Sequence, residues 1–68
     1  MNLILLTKRE KQCLYWAGQD KGLQETAEEL KLSPETIKKY RKIVLQKLNR
    51  RTIAGALMLA LEMKILDP

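Results

Sequence analysis

Lys38, Lys39 and Lys42, with Glu35 just ahead of them, are the side chains in this sequence whose types and spacing best suit them to chemistry. An ammonium group donates to oxygen and nitrogen lone pairs and a carboxylate accepts from amines, which is the chemistry of recognition rather than of bond making. Residues 34–51 carry seven bases (Lys38, Lys39, Arg41, Lys42, Lys47, Arg50, Arg51) against one acid, Glu35, whereas the other fifty residues carry six bases and seven acids. The net charge of +5 is therefore concentrated in one segment, and a concentrated excess points to a polyanionic partner.

Other chemistries lack the residues they need. One cysteine, no histidine and three scattered glycines leave no intramolecular disulfide, no Cys/His zinc site and no phosphate-binding glycine loop. No enzymatic activity, cofactor, metal or small-molecule ligand is expected. Cys13 falls on an apolar helix face and reads as a packing residue, and Tyr15 and Trp16 as core or boundary residues. At 68 residues the chain is expected to form one domain, 1–68, burying only about 60% of its unfolded surface, so function should lie on the outside. The opening apolar run, residues 3–6, is too short for a signal sequence, and the most apolar stretch, 53–61, is too short to span a bilayer. No membrane partner is expected, and the expected location is the cytoplasm, in association with the nucleoid.

The elements that must position the lysines can be read from caps and periodicity, and all of them are helical. Thr7-Lys8-Arg9-Glu10 forms a capping box that opens a first helix, which the 18–22 stretch with its two glycines breaks. Leu23, Ala27 and Leu30 have the spacing of a buried stripe and predict a short second helix over residues 24–31. Ser33 as N-cap, Pro34 at the first position and Glu35 at the positive end of the dipole start a third helix running to Leu48. A fourth helix is expected over 52–64. The fold class is thus all-α, a four-helix bundle whose second and third helices have the short, Ser-capped connection of a helix-turn-helix.

At about 100° per residue, Val44 and Leu48 return to the side of Ile37, while Glu35, Lys38, Lys39, Lys42 and Gln46 face the opposite way. A B-DNA major groove admits one such helix, lysine donates to guanine O6 and N7, and Glu35 can accept from a cytosine amino group. Because the start of a recognition helix ordinarily meets the bases, Glu35, Lys38, Lys39 and Lys42 are the base-contacting candidates. Ser33, Thr36, Gln46, Lys47, Arg50 and Arg51 are the candidates for the DNA backbone. Arg41 falls near the apolar side, with its stem packed and its guanidinium expected to reach outward.

Leu6-Thr7-Lys8-Arg9-Glu10, Glu25-Thr26-Ala27-Glu28-Glu29-Leu30, Leu32-Ser33-Pro34-Glu35-Thr36-Ile37-Lys38 and Lys47-Leu48 together resemble the LuxR-type (GerE-like) helix-turn-helix domain of bacterial transcriptional regulators. The resemblance spans residues 6–63. It implies four helices, sequence-specific binding of double-stranded DNA in transcription, and dimers on two-fold related half-sites. By position, Lys38, Lys39 and Lys42 match the family's base-reaching places, and Thr36 and Lys47 its backbone-contacting ones. Tyr40, Thr26 and Asp20 depart from the family pattern, which has histidine, an apolar residue and glycine there. Most members carry a sensing domain ahead of this module, so the chain reads either as a stand-alone member or as a piece of a larger regulator.

The fourth helix is apolar on more than one side, which suggests a partner. Helical counting groups Ala54, Leu57, Met58, Leu61 and Ile65 as the core face, and Thr52, Gly55, Ala56, Leu59 and Met63 as a homodimer interface. RNA polymerase is a further candidate partner, through the acidic outer face of the second helix (Glu25, Glu28, Glu29). Two other functions fit: a protein-interaction module built on the fourth helix, or a promoter-binding module like part of a sigma factor. Salt-dependent duplex binding separates the DNA readers from the interaction module.

Overall fold

Four local devices start the four helices of the computed structural model, which describes residues 6–66. The helices are α1 (Lys8–Gly18), α2 (Leu23–Leu30), α3 (Pro34–Leu48) and α4 (Ile53–Glu62), and no strand occurs among the described residues. Of the opening apolar run, only Leu6 is among them.

The capping box of α1 is complete: Thr7 Oγ1 accepts from the Glu10 amide at 3.2 Å and Glu10 Oε1 accepts from the Thr7 amide at 2.8 Å. Ahead of α2, Gly22 has no side chain to offer, and Glu25 Oε1 accepts from its amide at 3.4 Å. Ser33 Oγ accepts from the Thr36 amide at 3.2 Å with Pro34 in the first turn of α3, and Thr52 Oγ1 from the Gly55 amide at 3.0 Å. The expected α2 begins one residue early, at Leu23, and α4 stops at Glu62.

Helix ends are uniform. The residues Asp20, Lys31, Asn49 and Lys64 all adopt left-handed backbone, with φ between 53° and 62°. Each is followed by a residue whose amide reaches back a full turn and more, as in Leu32 N to Ala27 O (2.9 Å) and Arg50 N to Leu45 O (3.0 Å). The α2–α3 corner is thus set by Lys31 in this conformation, with Leu32 turned inward against Ala27.

Two apolar clusters share α1 and α3. Cys13, Ala27, Leu30 and Ile37, flanked by Trp16, Leu23, Leu32 and Tyr40, join α1 and α2 to the first half of α3. Leu14, Val44, Leu48, Ala56 and Ala60, closed by Leu6 and Leu66, join α1 and α4 to its second half. Neighbouring Cys13 and Leu14 enter different clusters, so α1 is the strut against which both are built. Gly18 marks its close approach to α4: a Cβ there would lie 2.6 Å from Leu57 Cδ2. Thr26, a departure from the pattern the resemblance implies, is fully buried, and its hydroxyl donates to the Gly22 carbonyl at 2.9 Å, so no polar hydrogen is stranded.

The faces assigned to α4 from the sequence are exchanged in part: Leu57 and Ile65 pack on the core as expected, but Ala56 and Leu59 do so in place of Ala54, Met58 and Leu61. Ala56 and Ala60 are 0% exposed, and Leu59, Leu57 and Ile53 pack beside them, while Met58 is 64% exposed, Leu61 41%, and Ala54 also faces out. Ala56 and Leu59 therefore belong to the core of the chain, not to a free surface. Thr52 is occupied as the cap, Gly55 is half-buried beside it, and Met63 is exposed only past the end of the helix. Small side chains here permit contact with α1 and α3, which is the closest packing α4 makes.

Candidate nucleic-acid interface

Two polar ties hold α3 against the rest of the chain and so fix the direction of its outer face, and a third joins α1 to α2. Arg9 Nη1 donates to the Leu30 carbonyl at the end of α2 at 3.4 Å. Arg41 Nη2 donates to the Lys21 carbonyl at 3.4 Å, so this guanidinium turns to the α1–α2 loop instead of outward as the sequence suggested. Lys47 Nζ donates to Glu10 Oε1 at 2.8 Å, joining the last turn of α3 to the first turn of α1.

With the helix so fixed, Glu35, Lys38, Lys39, Lys42 and Gln46 are all exposed on its outer side. The three lysines and Glu35 make no hydrogen bond or ion pair among the described residues, which leaves their polar tips available to a ligand. Ser33 and Thr36 stand at the start of the same helix, their hydroxyl oxygens 2.9 Å apart. One of their two hydroxyl hydrogens closes that contact, which leaves the other as a donor to an anion. Arg50 and Arg51 lie exposed beyond the far end, Arg50 Nη1 resting on the Asn49 carbonyl at 3.2 Å.

Lys47 differs from the others. Its partner Glu10 is 4% exposed, whereas the Lys47 side chain is 37% exposed, so one end of the pair is in the core and the other at the surface. Burial pushes the Glu10 carboxyl up, but the Lys47 ammonium and the Thr7 amide donate to it and hold it below the ordinary glutamate value. Sequence reasoning read Glu10 as a cap alone. The pairing joins residues 37 apart, so no local pattern announces it. Burial likewise raises the Cys13 thiol, against the pull of Arg41 and Arg9, which keeps it an unreactive core group.

The family profile described as bacterial regulatory proteins, luxR family, matches residues 5–60. The chain belongs to that family. A luxR-family helix-turn-helix domain is a DNA-binding regulator of transcription, not an enzyme. Among solved structures, one described as the structure of transcription factor GerE superposes with a TM-score of 0.87 at 23% identity, covering 97% of each chain, which shows the shared fold. No curated protein matches the chain. In this luxR-family domain α2 and α3 form the helix-turn-helix and α3 is the recognition helix. No described helix is long and apolar enough to cross a membrane.

Proposed function

We propose that this domain binds specific double-stranded DNA sites as a homodimer, laying α3 of each copy in the major groove of one of two half-sites related by a two-fold axis. The single observation that carries the reading is the outer face of α3, where Lys38, Lys39 and Lys42 stand exposed and unpaired within a segment of seven bases. These three and Glu35 meet base edges, because they lie on the outer face within the first nine residues of the helix. Ser33, Thr36, Gln46, Lys47, Arg50 and Arg51 meet phosphates. Lys47 does so from the place at the end of α3 where Glu10 holds it. The second copy docks on the exposed side of α4, Ala54, Met58 and Leu61, in place of the face inferred from the sequence. Its operation in the cytoplasm follows from the presence there of bacterial DNA.

Salt titration of duplex binding is the test, since each phosphate contact displaces counterions and log K falls with log salt by about 0.9 per contact. Lys42→Ala is expected to cost roughly 1 to 3 kcal/mol on the selected site and to relax preference at one base position. Equal losses on selected and random duplexes would count against Lys42 as a base reader. Binding that ignores salt, or no duplex binding, would remove the DNA reading altogether.

A further inference from the structure

Glu35 is the only acid among residues 34–51, and beyond its place at the positive end of the α3 dipole no hydrogen bond or ion pair among the described residues occupies it. Glu10 and Glu25 each stand three residues after the cap of their helix and reach back to its amide, at 2.8 and 3.4 Å. Glu35 stands two residues after its cap and makes no such contact, and the start of α3 is completed without it by Ser33, Thr36 and Pro34. Lys38 and Lys39 follow at the helical spacings that favour ion pairs, yet Glu35 pairs with neither. The result is an exposed, unpaired carboxylate on the face that meets a polyanion.

We propose that Glu35 is a specificity-determining residue that demands a cytosine in each half-site. The inference rests on the reading that α3 lies in the major groove. A carboxylate brought among phosphates without a donor is repelled and loses its hydration. The groove offers donors at only two places, cytosine N4 and adenine N6, while guanine and thymine present acceptors alone. Adenine sets its N7 lone pair beside the N6 amine, where it repels the second carboxylate oxygen. Cytosine has only a C–H beside its amine. Its partner guanine turns O6 and N7 toward the neighbouring ammonium groups, so one G·C pair satisfies both signs of charge on α3. A sequence lacking that cytosine meets an unanswered negative charge, which lowers non-specific binding and so widens discrimination.

Selection from a random duplex pool with the wild-type chain, Glu35→Gln and Glu35→Ala tests this, with circular dichroism confirming the fold of each. The wild type is expected to prefer cytosine at one position of each half-site by roughly fivefold or more. Glu35→Ala is expected to flatten that position alone and to raise affinity for random duplex. Glu35→Gln, whose amide both donates and accepts, is expected to turn the preference there to adenine. An unchanged motif in both variants, or affinity raised equally on every sequence, overturns the assignment while leaving α3 as the DNA reader. Absence of salt-dependent duplex binding by the wild type overturns the groove reading and this inference with it.

Discussion

The Oε1 atom of Glu10 accepts from the Thr7 amide and the Lys47 ammonium, both at 2.8 Å, so the start of α1 and the end of α3 share one charge. Removing the ammonium strands a buried carboxylate. Lys47→Ala is therefore expected to destabilise by about 1 to 3 kcal/mol, toward the low end because the lysine side opens to water. In a domain of this size that lowers the melting temperature by several degrees, and DNA binding by this variant has to be compared below its melting range. The pH dependence has a definite sign. The folded-state pKa of Glu10 is depressed, so its stabilisation is complete above the unfolded value near 4.5 and lost as pH falls through the lower folded value. Melting curves from pH 7 to 3 are expected to fall less steeply for Glu10→Gln than for the wild type. Parallel curves would mean the pair contributes nothing to acid sensitivity.

At the scale of the helix, the starts of α1 and α3 and the ends of both were legible, but the end of α4 and the left-handed residues that close the helices were not. Thr7 and Ser33 announce starts because a cap acts over three residues, whereas Thr52, read as a helix and interface residue, is the cap of α4. The outer face of α3 was legible because Ile37, Val44 and Leu48 fix its phase against charged neighbours. The phase of α4 was not, since a helix apolar nearly all round offers no contrast, and only contact with α1 and α3 selects Ala56 and Ala60 for burial. No glycine takes the left-handed positions that close the helices, which fall to Asp20, Lys31, Asn49 and Lys64. Asparagine and aspartate tolerate that conformation, whereas lysine pays for its Cβ. Lys31→Gly is expected to stabilise by up to about 1 kcal/mol. Glu28→Gly, inside α2, is expected to lose about 1 kcal/mol. Urea midpoints of the two variants check both. A loss at Lys31→Gly would show that the lysine makes a contribution at the corner larger than its backbone strain.

For the molecule as a whole, a single recognition helix gives one patch of base contacts, and the affinity a regulator needs comes from joining two such patches on one duplex. Half-sites on one side of B-DNA recur every 34 to 36 Å or so. The chain measures 35 × 21 × 20 Å, a size on the scale of that repeat. The side of α4 that carries Ala54, Met58 and Leu61 is open for such a contact, and it lies away from Ala56 and Ala60, which are committed to the core. Substitutions on the two sides should therefore fail differently. Ala56→Glu places a charge in the core and is expected to unfold the chain. Met58→Glu and Leu61→Glu are expected to leave melting nearly unchanged and single half-site binding intact, while binding to a two-half-site duplex weakens by a factor of 100 or so. Sedimentation across a concentration series, alone and with that duplex, reads the assembly directly. A wild-type chain that stays monomeric in both conditions, or a Met58→Glu chain that binds the double site as well as the wild type, would return α4 to the status of a bare apolar surface.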